Sequence, residues 1–369
     1  MTQTNVPLVD LSHQQKQIND VIREGFDRVI AESSFIMGPQ VDEFEEAWAA
    51  YCGVPFAMGV GNGTDAIEIA LRAAGVGPGH EVILPANTFV ATAGAVERAG
   101  ARIVLADCDE DFLLNPADVA QRVTSRTRAV IGVHLYGQTA PMESLQAAVP
   151  DGVVIVEDLA QAQGATRNGV RAGALGHVAA TSFYPGKNLG AYGDAGAVMS
   201  TVEHFADRAR RLRNHGGTVR YEHLEVGFNS RLDTLQAVVL NAKLALLEQW
   251  NGQRREAAAR YQQLLGGLDG IGLPRVVIGN EHVFHLYVVR VPVRDRVVRE
   301  LNAAGIGAGV HYPSPVHLLP AYAHLRHQRG AFPVAELLAG EIMSLPMYPG
   351  ITIGQQEQVA AVLRKVLER

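Results

Sequence analysis

The chain has 369 residues, 47% of them apolar and 19% charged, enough for a large core and two domains and unlike the composition of a disordered chain. Its formal net charge of −6 leaves no basic footprint for nucleic acid, and no apolar run reaches the length of a membrane span. Two cysteines, Cys52 and Cys108, are too few for a disulfide framework and lack metal-ligand spacing. Met1 to Asp10 lacks a charged n-region with an apolar core, so no signal peptide is expected and the cytoplasm is the expected compartment.

Val6 to Asp10 reads as an extended start. Ile18, Ile22, Phe26 and Ile30 lie four apart and predict one apolar helix face. Phe35 to Pro39 breaks the pattern, and Val41 to Ala50 predicts a second helix. The glycine-rich stretch from Gly59 to Gly63 lets the backbone come close to a ligand. Thr64 or Asp65 suits an N-cap for a helix carrying Ile67, Ala70, Leu71 and Ala74. Free amides at such a start favour a phosphate; an ordinary turn before a helix is the plain alternative.

Strand and helix then alternate. Glu81 to Pro85 reads as a strand, and Ala86 to Thr92 leads into a helix through Ala99. Phe89, at that junction, can stack on a flat heterocycle or fill the core. Ile103 to Ala106 reads as a strand, Pro116 to Val123 as a helix, Arg128 to Tyr136 as a strand and Met142 to Ala148 as a helix. His134 is expected to be a satisfied interior histidine. Such alternation argues for an α/β fold with a mostly parallel sheet and right-handed crossovers.

Gly152 to Val156 is a continuous apolar run that delivers Glu157-Asp158 at its carboxyl end, where open α/β sheets bind ligands. A carboxylate there can keep the pyridinium nitrogen of pyridoxal phosphate protonated; capping the next helix is its plain alternative. His177 to Thr181 forms the next strand-like run, followed by Ser182-Phe183-Tyr184-Pro185-Gly186-Lys187-Asn188-Leu189-Gly190. In a dry pocket a lysine loses its proton and becomes a nucleophile towards carbonyls, whereas most lysines are merely solvated.

Gly193 to Met199 returns as a strand and Val202 to Arg213 as a helix. A polar loop, Asn214 to Tyr221, precedes Gly227-Phe228-Asn229-Ser230-Arg231-Leu232-Asp233, which opens the next helix. Leu235 to Leu265 is largely helical, with Gly252 marking a kink or a passage between domains. The remainder predicts a smaller α+β unit. It holds a strand over Val283 to Val291, a helix over Val297 to Ala304, and a second strand before Val310. Thr352-Ile353-Gly354-Gln355 is a capping box for the last helix. His311 and His317 are six apart, which is not a helical zinc pair.

Glu157-Asp158-Leu159-Ala160-Gln161-Ala162-Gln163-Gly164-Ala165 followed by Ser182 to Gly190 resembles the DegT/StrS family of nucleotide-sugar aminotransferases. The resemblance implies the pyridoxal-phosphate-dependent aspartate aminotransferase fold (fold type I). It implies a large cofactor-binding domain over residues 1–250, with a mostly parallel sheet, and a smaller α+β domain over 251–369. By that resemblance Lys187 binds the cofactor aldehyde and Asp158 holds the ring nitrogen. Phe89 covers the ring, Gln161 lies near its hydroxyl, and Gly63, Thr64, Ser182 and a partner subunit's Asn229 hold the phosphate. Arg231 is assigned to a carboxylate of the amino donor, and Tyr221, Tyr312 and His317 to the substrate mouth. The implied assembly is a homodimer with shared active sites, with no nucleic-acid or membrane partner.

The resemblance further implies transfer of the amino group of L-glutamate to a keto nucleotide sugar, releasing 2-oxoglutarate. A dTDP-3-keto-6-deoxyhexose is the leading acceptor. A dTDP-4-keto-6-deoxyhexose and an amino-cyclitol precursor are alternatives, as is a non-catalytic regulator on the same fold. A related dehydratase subgroup carries histidine in place of the lysine, and Lys187 speaks against it.

Overall fold

The computed structural model describes residues 5–368; the first four positions of the chain and the last lie outside the description. Two helices open it, α1 (Ser12–Glu32) and α2 (Pro39–Cys52). Pro39 sits in the first turn of α2, where a missing amide costs no hydrogen bond. Ile18 and Ile22 are buried with Val239 and Trp250, and Phe26 packs half-buried against them. Ile30 is 59% exposed, contrary to the four-residue spacing. A row of every fourth residue winds about 40° per step around a helix, so its far end leaves the face on which it began.

The large domain follows in chain order as β1 (Phe56–Val60), α3 (Gly63–Ala73), β2 (Glu81–Pro85), α4 (Val90–Arg98), β3 (Arg102–Ala106), α5 (Pro116–Arg122), β4 (Thr127–Val133), α6 (Met142–Ala147) and β5 (Val154–Asp158). A small ribbon of β6 (Thr166–Arg167) and β7 (Val170–Arg171) comes next, then β8 (Val178–Ser182), β9 (Gly196–Ser200), α7 (Glu203–Leu212) and α8 (Thr234–Leu244). Seven of these strands form one sheet in the order β1-β9-β8-β5-β4-β2-β3. The five from β8 to β3 are parallel, as the alternation predicts, while β9 runs antiparallel to both β8 and β1.

The sheet is dry on both faces. Ile83, Val130 and Ile155 pack under Val119 of α5 and Leu145 of α6. Their neighbours Val82, Leu84, Ile131 and Val156 pack on the other side with α3 and α4. This is why the strands read as continuous apolar runs rather than alternating ones. Because β9 reverses twice, β1 runs in the same direction as β8, and Val60 and Ser182 both pair with Gly196. The carboxyl ends of β1, β8, β5, β4 and β2 therefore share one edge.

The smaller unit holds α9 (Leu247–Leu265), β10 (Asn280–Glu281), β11 (Tyr287–Arg290), α10 (Arg294–Ala303), α11 (Pro333–Glu341), β12 (Ile342–Leu345) and α12 (Ile353–Leu367). Its core gathers Tyr261, Tyr287, Val289, Leu301, Leu345 and Leu363. The division proposed at 250/251 falls inside α9. Leu247 of that helix packs in a large-domain cluster, and Ala257 onward packs in the smaller one.

Three local expectations change. The long helix breaks at Ala245-Leu246 and runs through Gly252 without interruption; one glycine costs a helix only about 1 kcal/mol. The strand expected from Val283 begins only at Tyr287, because Phe284 adopts a φ of 42°. Before Val310 stands a single bridge from Gly309 to Ser344, and the strand that pairs with β11 is β12. The capping box at Thr352 and Gln355 is present as read.

Candidate active site

The shared strand edge borders a cavity of about 560 Å³. Asp158, the last residue of β5, reaches into it and is 6% exposed. Thr92 Oγ1 donates to its Oδ2 at 2.9 Å, and the Ala160 amide donates to Oδ1 at 3.2 Å. The Thr92 proton is thereby used, so in the 2.8 Å contact between Thr88 Oγ1 and Thr92 Oγ1 it is Thr88 that donates. Glu157, on the opposite face of the strand, accepts from the Gly173, Leu175 and Gly176 amides and from His134 Nε2. His134 Nδ1 accepts from the Ala140 amide, which makes it the satisfied interior histidine expected.

Lys187 stands on the loop after β8, and its side chain opens onto the same cavity. No hydrogen bond or ion pair with a described residue engages its Nζ. Burial pushes its amine down to about 8, with the Asp158 carboxylate opposing that shift. The loop itself is held rigidly. The Gln163 amide donates to the carbonyls of Ser182 and Leu189 and accepts from the Leu189 amide. Lys243 Nζ, on α8, donates to the Gly190 carbonyl at 2.6 Å.

The start of α3 forms a further wall. Its cap is Asn62, whose Oδ1 accepts from the Asp65 amide at 2.8 Å; the expectation of a cap at Thr64 or Asp65 is corrected by two or three positions. The amides of Gly63 and Thr64 have no helical partner at such an end. Gly63 approaches Ser182 closely: a Cβ on Gly63 would stand 2.5 Å from Ser182 Cβ. A glycine is therefore required there to leave room beside the helix end.

Phe89 and Tyr312 line the cavity with ring centroids 5.1 Å apart and planes tilted by 34°. Gln161 links Tyr312 to the turn that follows β4. Its Oε1 accepts from the Tyr136 amide at 2.7 Å, and its Nε2 donates to the Tyr312 hydroxyl at 3.0 Å. Gly63, Thr64, Phe89, Asp158, Gln161, Ser182, Lys187 and Tyr312 are thus brought to one place.

Four expected residues are not brought there by this chain. His317 is buried away from the cavity, its Nε2 2.9 Å from Glu336, so its placement at the substrate mouth is corrected to a packing role. Asn229 is exposed, Tyr221 is 81% exposed, and Arg231 donates to Asn214 Oδ1 at 3.2 Å. The cavity also gathers residues to which the sequence reading assigns no site role: Thr88, Thr92, His285, His311, Leu8 and Val9. A histidine inside the apolar run Val283 to Val291 was the available signal for His285.

These features define an aminotransferase of the DegT/DnrJ/EryC1/StrS aminotransferase family, which matches residues 16–364 and to which the chain belongs. Enzymes of this family depend on pyridoxal phosphate. A dTDP-3-amino-3,4,6-trideoxy-alpha-D-glucose transaminase of Streptomyces venezuelae is 44% identical over 99% of this chain and 97% of its own. The solved structure of S. venezuelae DesV superposes with a TM-score of 0.96 at 44% identity, covering 99% of both chains. A pleiotropic regulatory protein of Geobacillus stearothermophilus is 46% identical over 99% of this chain and 98% of its own.

Proposed function

We propose that the protein transfers the amino group of L-glutamate to a keto nucleotide sugar, a dTDP-3-keto-6-deoxyhexose in the first instance, to make a 3-amino sugar. The observation that carries this reading is the free Lys187 amine facing a cavity with the anchored Asp158 carboxylate, in a chain similar end to end to C3 transaminases. Leu8, Val9, Val133, Leu135 and Leu286 give the cavity an apolar wall, which suits a sugar whose C6 is a methyl group.

The residues present fit pyridoxal phosphate. Asp158 is the anion for the ring nitrogen, and Lys187 is the amine for its aldehyde. The Gly63 and Thr64 amides with the Ser182 hydroxyl would hold the phosphate, and Phe89 would cover the ring. Bound there, the cofactor supplies a carbonyl for amine exchange and a ring that takes up electrons. Lys187, once free, would take the Cα proton of glutamate as a base and return it as an acid to the carbon on the far side of the transferred nitrogen. The same residue works in reverse on the keto sugar.

The cavity of one chain is incomplete. Lys187 is the one lysine or arginine among its described lining residues, yet glutamate brings two carboxylates. Asn229 and Arg231 stand outside, and Phe35, Ile36, Met37 and Tyr184 are exposed apolar side chains. This supports a homodimer in which a second copy supplies Asn229 for the phosphate, Arg231 for the donor and Tyr221 for the sugar. Mixing Lys187→Ala with Asn229→Ala protein tests it. Each is inactive alone, and about a quarter of wild-type activity should return on subunit exchange; no recovery counts against shared sites. Among the described residues no helix is long and apolar enough to cross a membrane, and a biosynthetic role supports the cytoplasm as its compartment.

The sugar is tested by offering glutamate with a panel of 3-keto and 4-keto nucleotide sugars and reading the aminated carbon by NMR. Amination at C4 alone would replace the C3 assignment. The regulatory name of one relative favours a second reading, a non-catalytic regulator.

A further inference from the structure

His285 faces the cavity but has no part in the chemistry above. Its Nδ1 lies 3.1 Å from Oδ1 of Asn188, the residue after Lys187. Asn188 Nδ2 donates to Asn251 Oδ1 at 2.9 Å and to the Val283 carbonyl at 3.1 Å. A carbonyl only accepts, so the amide orientation is fixed, and both of its hydrogens are spent. Asn188 Oδ1 must then accept, and the proton on the imidazole sits on Nδ1.

A second proton, on Nε2, would make a cation in a crowded place that is already positive. Burial first, then Lys187, Arg254 and His311, hold the ring well below the usual histidine range. Arg254 adds to that field because its NH1 meets only the carbonyls of Phe284, His285 and Met347, with no carboxylate. Nε2 is therefore a bare lone pair. No described group donates to it, and the side chain is partly open on the cavity side. Lys187 Nζ shares that cavity and likewise has no partner.

We propose that His285 Nε2 is the hydrogen-bond acceptor for the amine of Lys187 once the donor has displaced it. This makes His285 a positioning residue for proton transfer. When Lys187 removes the Cα proton, the electron pair of its amine takes it up and an ammonium forms. One N–H of that ammonium would point at Nε2, while another proton is returned to the carbon on the far side of the transferred nitrogen. The imidazole takes no proton itself, because its environment disfavours the cation. The inference rests on the aminotransferase reading and adds a residue to it.

The test uses His285→Leu, which removes the acceptor, and His285→Gln, which offers an amide oxygen. In His285→Leu, single turnovers with L-glutamate and with the keto sugar should each slow about tenfold at unchanged KM. In protein loaded with the amine form of the cofactor, where Lys187 is released, the titration midpoint of its amine followed by NMR should fall by about one unit, since the ammonium has lost its acceptor. His285→Gln should restore both to near wild type. The proposal is overturned if only the sugar half-reaction slows, with a raised KM, because the ring then faces the sugar. It is equally overturned if His285→Leu matches wild type, or if His285→Gln fails as His285→Leu does. A wild-type protein that ignores glutamate would instead sink the donor assignment, and the lysine titration in protein loaded directly with the amine form would still test His285.

Discussion

The two sides of the cavity are built differently. The cofactor side comes from strand ends and one helix start of the large domain: Asp158 closes β5, Ser182 closes β8, Gly63 opens α3. Each is locked by short-range geometry, such as the Asn62 cap or the Ala160 amide on Asp158. The opposite side is assembled from remote segments, Leu8 and Val9, His285 and Leu286, His311 and Tyr312, and it lacks a counter-charge for an acidic substrate. Chemistry common to many substrates thus sits on the rigid sheet. Recognition is left to segments that converge only through tertiary packing and, on the reading above, a second subunit.

Substitutions on the cofactor side should sharpen that contrast. Lys187→Ala should lower turnover more than about a thousandfold while some cofactor is retained, measured as amino-sugar formation and bound cofactor. Normal turnover in that variant would remove the lysine from the mechanism. Asp158→Asn should cost about a hundredfold in transamination with little change in melting temperature. The new amide nitrogen would face Thr92, whose hydroxyl can rotate to accept, so the fold has little to lose. An unchanged rate would deny the carboxylate its electronic role.

Gly63→Ala should weaken cofactor binding about tenfold, read by titration, because its methyl would crowd Ser182 at the phosphate end. Equal affinity would mean that the helix start does not hold the phosphate. The smallest change lies far from the cavity. Thr352→Ala should remove one side of the α12 capping box and cost about 1 kcal/mol of stability, with activity unaltered. A loss of activity there would join the two units more tightly than the packing implies.

The legible and illegible parts follow the same division. Val154 to Asp158 and Val178 to Ser182 announce themselves, because strands buried on both faces must be apolar until they reach the ligand. Lys187 stands out as a cation in a run of small and aromatic residues. Thr92 is hidden, since nothing in a helix start reveals that its hydroxyl meets a carboxylate 66 positions away. His317 misleads for the converse reason: it neighbours Tyr312 in sequence, yet Val316 and His317 turn inward and its ring is used by Glu336. Asn62, Thr64 and Asp65 are all competent caps, so the sequence alone does not single out Asn62, whose side chain takes the Asp65 amide while Gly63 packs closely on Ser182.

The pH dependence follows from the Lys187 amine, which burial lowers from 10.5 to about 8. Only the neutral amine attacks a carbonyl, so capture of pyridoxal phosphate by cofactor-free protein should rise as pH climbs through about 8 and level off above it. A midpoint near that of a free lysine would mean that the amine is not held in a dry pocket.

The central claim is tested most directly by the absorbance of the cofactor-loaded protein when L-glutamate alone is added. The expected result is loss of the band of the lysine-bound cofactor and growth of that of its amine form, reversed by a keto nucleotide sugar. A spectrum that stays unchanged with every donor and sugar would contradict the account and favour a regulator that has kept only the fold.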